Sequence, residues 1–363
     1  MKHLQGRSLV NVKLFTPARI IFYLIAVFIF YLAVHYIDKL KDIKDLMLQM
    51  SPFWLLLTIG AQIGTYLLNA YIMRGLIHRH PGSTSLGSLF KMSIVIMFVN
   101  QALPTGGLSG NGYLFTQLTK RNVPKQIAFT ALMLETVSYY VAILFLISLF
   151  YGWYYLLEIN VKPVISYVVI LGFVFYITLT IAVLALSNRR TVFFMLRKLS
   201  KYGWLKRYIK NAGLLSLQNE HQGSSEMLRK NRGTIVDTIL LQLMIILCDV
   251  VTVFALVKGF HIHMSFVLIA LALLLTLVIG ALPISPGSLI IYESAMTYFF
   301  TTLGAPVHAA LVITLLYRFF TFWLPIPIGL VLYRNLEGSR LPNKIDQLTE
   351  SGPEFTLLKR QRR

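Results

Sequence analysis

The sequence predicts an all-α protein, a polytopic integral membrane bundle of two inverted repeats, each holding a segment broken by proline and glycine. Three observations carry that expectation. The 363 residues are 56% hydrophobic and 13% charged, with a mean hydropathy of +0.68, whereas a soluble chain carries about 25% charged residues. The apolar residues come in blocks of about 16 to 28, long enough to enter or cross a hydrocarbon core of roughly 30 Å. A Pro/Gly tract also recurs at matching places in the two halves of the chain.

The first block, 20–37, follows Lys2, Arg7, Lys13 and Arg19. It is longer than a signal-peptide core and no small-residue cleavage site follows it, so it is expected to stay as a first helix. Further spans are expected over 53–73, 88–103 with a broken continuation 111–118, 126–150 and 164–186. The second half gives 235–257, 266–282 with a broken continuation 288–303, and 306–333. Trp54, Trp153, Tyr154 and Tyr155 fall near span ends, where aromatic side chains suit the membrane–water interface.

Residues 1–340 are therefore expected to form one transmembrane domain, with a cytoplasmic loop at 187–234 and a basic cytoplasmic tail at 341–363. Within that loop, 191–210 mixes Phe193, Phe194, Leu196, Leu199 and Leu205 with Arg197, Lys198, Lys201, Lys206 and Arg207. The pattern is that of an amphipathic helix lying on anionic lipid.

The net charge of +20 resides in loops between apolar blocks. In such a chain it sets orientation and attracts anionic head groups, so nucleic acid is excluded as a partner. Of the 34 lysines and arginines, 28 fall on the side of the termini and the 187–234 loop. Lys39, Lys41, Lys44, Lys162 and Lys258 fall on the other. The positive-inside rule then places both termini in the cytoplasm.

Ala102-Leu103-Pro104-Thr105-Gly106-Gly107 is echoed by Ala281-Leu282-Pro283-Ile284-Ser285-Pro286-Gly287. In each half a short apolar segment follows, then a proline opening a long helix, Pro124 in one and Pro306 in the other. A break inside an apolar segment frees backbone groups that hydrocarbon cannot satisfy, so it must sit in protein or line a wet cavity. Broken segments in corresponding positions of two halves point to a transporter's binding site. The deduced orientation makes the halves inverted. Whether each broken segment is a re-entrant hairpin or two crossings stays open, although the short limb 111–118 favours re-entrance.

Four charges lie well inside the apolar blocks, away from their ends: Glu135, Asp249, Glu293 and Arg318. Glu135 lies roughly 14 Å and Arg318 roughly 18 Å along their helices at 1.5 Å per residue. Uncompensated, each would cost about 2.5–3.5 kcal/mol, so both are expected to face one interior cavity and to interact directly or through water. A buried pair that only fixes packing and a polar path for a charged head group are both consistent with this.

No other chemistry is signalled. Cys248 stands alone, so no intrachain disulfide is available. His78, His80, His261 and His263 lack neighbouring cysteine or clustered carboxylates, so no metal is expected. There is no phosphate loop and no nucleophile elbow, and no cofactor is expected.

The second half carries a more specific pattern. Pro283-Ile284-Ser285-Pro286-Gly287, Glu293, Gly304-Ala305-Pro306 and Tyr317-Arg318 before an aromatic stretch resemble a signature of the lysylphosphatidylglycerol synthase family's flippase-like membrane region. Asn100 through Pro104, Gly106 and Gly107 to Gly112-Tyr113, and Arg74, resemble its first signature. The chain departs from the family in having Ser288 where Gly is frequent and Thr136 where an Arg is frequent. It also ends soon after the last span, so the soluble aminoacyl-transferase domain is expected to be absent.

The resemblance implies translocation of a lipid with a charged head group, anionic, zwitterionic or lipid-linked, in the plasma membrane of a prokaryote. Expected substrate-path residues are Glu135, Arg318, Asp249, Glu293, Asn100 and Asn111, with Pro104, Gly106, Gly107, Pro283, Pro286 and Gly287 supplying the broken backbone. A membrane enzyme acting on a lipid-linked substrate, and a partner of a separate lipid-modifying transferase, are the alternatives. A homo-oligomer is compatible with either.

Overall fold

A computed structural model describes residues 50–77, 85–102, 108–157, 161–187, 232–282, 288 and 290–338. Among the described residues the fold is helical, with no strand. The first half contributes α1 (Pro52–Ile77), α2 (Leu86–Ala102), α3 (Leu108–Lys120), α4 (Lys125–Leu157) and α5 (Pro163–Ser187). The second contributes α6 (Arg232–Gly259), α7 (Phe266–Gly280), α8 (Ile291–Thr302) and α9 (Val307–Arg318). A π-helical turn (Phe319–Trp323) and α10 (Pro325–Gly338) complete it. The expected first span at 20–37 and the amphipathic segment at 191–210 lie outside the described residues.

Among the described residues, five stretches are long and apolar enough to cross a membrane: Pro52–Ile77, Ile127–Leu157, Pro163–Ala185, Gly233–Gly259 and Val307–Arg334. Their surfaces invert the pattern of a soluble protein. Tyr167, Ile170, Val174, Ile177 and Ile181 line one exposed apolar face of α5, and Phe53, Leu56, Ile63 and Leu67 do the same on α1. In water such faces would drive association; in hydrocarbon they are at ease.

The helix α7 is the reverse case. It is apolar all round, and Ile269 through Leu275 are sealed from solvent and lipid. A helix apolar on every side belongs inside a bundle. At 15 residues it spans roughly 22 Å, and the 12 residues of α8 span roughly 18 Å, both short of a hydrocarbon core.

Local rules fix the turns. The end of α8 is a Schellman motif: Gly304, at φ +109°, donates to Thr301 O, and Ala305 N–H donates to Phe300 O at 2.9 Å. Pro306 then starts α9, where its missing N–H costs nothing. The end of α3 repeats this construction. Asn122, at φ 62°, donates to Thr119 O, Val123 donates to Leu118 O, and Pro124 starts α4. Asparagine substitutes for glycine because it tolerates the left-handed region. The same turn chemistry thus occurs twice, at the matching Pro124 and Pro306.

Packing follows the same pairing. The long helices α1 and α6 lie against each other in the middle, where Gln62 of α1 donates to Thr252 of α6. The helix α2 packs on α3 and on α10, while α7 packs on α8 and on α4. One apolar core joins Ala70, Met73 and Ile77 of α1 to Leu89, Met92, Leu114, Leu118 and Ala128. At the other end Phe150, Phe254 and Phe266 meet edge to face.

The expected spans map onto α1, α2, α4, α5, α6, α7 and the α9–α10 unit, with two corrections. The long helix α4 runs to Leu157, 33 residues in all, rather than ending at 150. Trp153, Tyr154 and Tyr155 therefore lie in its last turns. The α9–α10 unit is not one uninterrupted α-helix, because a π turn follows Arg318.

Candidate functional site

The site is built around that π turn. In an α-helix the Thr321 carbonyl would accept from the N–H of residue 325, but Pro325 has none. The helix widens here, with Leu324 N–H donating to Phe319 O at 2.8 Å, five residues back. The Thr321 carbonyl is instead satisfied by the Gln101 side chain from α2, Nε2 to O at 2.9 Å. Single π turns inside α-helices frequently mark functional positions.

Arg318, the last residue before the widening, is 8% exposed. Its Nε donates to Glu293 Oε1 at 2.6 Å, across the α8–α9 hairpin. The guanidinium carbon lies 4.5 Å from the Tyr292 ring centroid and 4.6 Å from that of Phe322. Tyr292 stacks in turn on Tyr317, 6.3 Å apart and 12° from parallel. Stacked aromatic faces suit guanidinium because it is planar and weakly hydrated. The second carboxylate oxygen, Glu293 Oε2, is buried with no hydrogen-bond partner among the described residues.

The residues on either side of the two Pro/Gly tracts are held by close approach. On the first, Gly110 N–H donates to Asn100 Oδ1 at 2.7 Å, tying α2 to the first turn of α3. A Cβ on Gly110 would meet the Asn100 amide at about 2.5 Å, so any larger residue must displace that amide. On the second, a Cβ on Gly280 would meet the Tyr292 ring at about 2.6 Å. The Ser288 hydroxyl donates to the Gly280 carbonyl. Ser288 and Ile290 both adopt positive φ, 54° and 70°. For a β-branched residue such as Ile290 this is a strained conformation, and such strain gathers at ligand sites.

A second polar cluster lies between α1 and α6. Gln62 Nε2 donates to Asp249 Oδ1 at 3.2 Å and to Thr252 Oγ1 at 2.9 Å. Tyr66, Tyr139, Tyr292 and Tyr317 lie within electrostatic reach of Asp249. The Tyr66 hydroxyl and the Ser138 hydroxyl are buried without hydrogen-bond partners. Glu135, one turn before Tyr139 on α4, is half-buried and has no hydrogen-bond or ion-pair partner among the described residues.

Arg318 therefore pairs with Glu293 and not with Glu135. The expectation of an Arg318–Glu135 pair rested on equal depth in two halves, and depth does not determine which face of a helix a residue occupies. Hairpin geometry would have found the true partner. Counted from Gly304, Glu293 is eleven residues back and Arg318 fourteen forward, roughly 17 and 21 Å from one turn.

Asn100 bridges α2 and α3, while Asn111 sits half-buried in the first turn of α3 outside that bond. Pro104, Gly106, Gly107, Pro283, Pro286 and Gly287 lie outside the described residues. Sequence reasoning missed Gln62, Tyr66, Gln101, Tyr139, Tyr292 and Phe322. A glutamine or tyrosine inside an apolar span was the available signal. No group of three or more metal-type ligands occurs among the described residues.

Long apolar helices, a buried arginine–carboxylate pair and an interior lined with tyrosine and amide groups define a multi-pass membrane protein with a polar core. The chain belongs to the family described as the lysylphosphatidylglycerol synthase TM region, matching its profile over residues 19–329. It is 23% identical over 315 residues to a UPF0104 membrane protein of Methanocaldococcus jannaschii, covering 85% of this chain and 92% of that one. A UPF0104 membrane protein of Methanothermobacter thermautotrophicus is 22% identical over 322 residues, with the same shares covered.

Proposed function

We propose that this chain moves lipids with a charged head group between the two leaflets of the plasma membrane. The observation that carries this reading is the Arg318–Glu293 pair, buried beside Ile290 and the π turn, with Glu293 Oε2 unpartnered. A lone ion pair inside a membrane protein is costly to keep. One held between aromatic faces offers a guanidinium to a phosphate and a carboxylate to an amine, which is the chemistry of an anionic or zwitterionic head group.

The repeated turn at Asn122–Pro124 and Gly304–Pro306 and the matched packing of α2 on α10 and α7 on α4 support two inverted repeats. The shortness of α7 and α8 supports a re-entrant hairpin in the second. The distribution of lysine and arginine supports cytoplasmic termini. In this reading the chain is not an enzyme. It forms no bond in the lipid.

The test is reconstitution of the purified chain into vesicles holding labelled lipids that differ only in head group. Faster leaflet exchange than in protein-free vesicles, largest for phosphate-bearing head groups, is expected. Exchange no faster than in empty vesicles for every lipid in the panel overturns the reading.

A further inference from the structure

We propose that Asp249 is a proton-carrying carboxylate, and that its protonation and deprotonation are linked to the lipid movement proposed above. The inference rests on that reading for the linkage, but the protonation itself stands on separate geometry.

Asp249 lies 17 residues into the 28 of α6, roughly 25 Å along it, far from either end. It accepts from the neutral Gln62 amide at 3.2 Å. The Thr65 hydroxyl of α1 donates to Ala61 O. Besides Arg318, the titratable groups within electrostatic reach of it are hydroxyls and a thiol. They are Tyr66 of α1, Tyr139 of α4, Tyr292 of α8, Tyr317 of α9 and Cys248 of α6 itself. Arg318, the nearby cation, is engaged by Glu293. Among the described residues no lysine, arginine or histidine forms an ion pair with Asp249.

An ionised carboxylate in a low-dielectric interior needs a counter-charge or several strong donors. Asp249 has neither in full. A proton supplies what is missing: an O–H bond forms when water on one side delivers H⁺, and it breaks when the site opens to water on the other. Asp249 is half-buried, not sealed.

A sodium ion fits less well. The Gln62 atom turned toward the carboxylate is the N–H₂ end, fixed there by its second bond to Thr252 Oγ1, whose own proton goes to Cys248 O. A cation at the carboxylate would face a donor where it requires an acceptor. The unpartnered Tyr66 hydroxyl, one turn from Gln62 on α1, adds a group able to accept from a protonated Asp249 as the helices shift.

Two measurements on the full chain test this. Infrared difference spectra between acidic and alkaline buffer, on purified wild type and Asp249→Asn, read protonation with no lipid movement required. A protonated-carboxyl stretch that shifts in heavy water, titrates away at high pH and is missing from Asp249→Asn is expected. Its presence at equal intensity in the variant overturns the assignment. Vesicles with a trapped pH dye then test linkage. Wild type is expected to move labelled lipid several-fold faster under an imposed pH gradient, with proton entry, and to ignore a sodium gradient. A sodium response in place of the pH response overturns the choice of ion. A wild-type rate indifferent to pH, or a variant that keeps the gradient response, overturns the linkage. Should no lipid move in wild type, the transport reading fails while the infrared result still decides whether Asp249 carries a proton.

Discussion

Gln101 of α2 donates its amide hydrogen to the Thr321 carbonyl at 2.9 Å, fastening one half of the chain to the π turn of the other. The bond exists because Pro325 removes the usual partner of that carbonyl. Gln101→Leu would leave the carbonyl unsatisfied in a dry interior, at a cost of about 1–3 kcal/mol. Pro325→Ala restores an N–H and should make the loss of Gln101 far less harmful. Unfolding of the four-member cycle in detergent, followed by circular dichroism, measures the coupling. Additive effects would mean that Gln101 and the π turn are independent.

The Glu293–Arg318 pair gives a second expectation. Removing one partner strands a buried charge, so Arg318→Met alone should destabilise by about 3–5 kcal/mol. The double variant Glu293→Gln with Arg318→Met should recover much of that loss, since a neutral pair strands nothing. Thermal unfolding of the singles and the double reads this directly. A double variant destabilised by the sum of the two single losses would show that the pair is not coupled.

Two of the crowded glycines should differ in consequence. Gly280→Ala drives a Cβ into the Tyr292 ring, and Tyr292 stacks under Arg318, so the change should disturb the arginine. Overpacking of this kind costs about 1–3 kcal/mol. Gly172→Ala on α5 presses on the Val278 side chain of α7, outside the polar site, and should cost similar stability while sparing lipid exchange in the folded fraction. The ratio of exchange rate to folded protein separates the two. Equal ratios would detach the α7–α8 tip from function.

Most of the fold was legible because a membrane leaves few choices: apolar length and Pro/Gly interruption are written in residue types. The turn at Val123-Pro124 and its counterpart at Ala305-Pro306 were visible as a repeated pattern, and both are the same capped turn. The charges Glu135, Asp249, Glu293 and Arg318 stood out because each interrupts an apolar run. Their partners did not. Equal depth suggested Glu135 for Arg318, while the α8–α9 hairpin delivers Glu293. Gln101 meets Thr321 across 220 residues, and no local pattern announces such a contact. The π turn needed a register count that the mere presence of Pro325 does not make.

Orientation gives a further prediction. With Cys248 replaced by Ala, single cysteines at Ser224 and Lys41 should label from opposite sides of intact cells. Lys41→Cys should react with a membrane-impermeant reagent from outside, and Ser224→Cys only after permeabilisation. The reverse pattern would invert the orientation on which both cytoplasmic termini rest.

The central claim is that the Arg318 guanidinium engages the lipid head group, and leaflet exchange by Arg318 variants in vesicles tests it most directly. Wild type, the compensated Glu293→Gln/Arg318→Met double and Gly172→Ala are reconstituted at equal folded amounts with a labelled phospholipid. The account predicts rapid exchange by wild type and Gly172→Ala, and exchange at the protein-free rate for the double variant, folded but without its cation. Exchange by the folded double variant at the wild-type rate would contradict it.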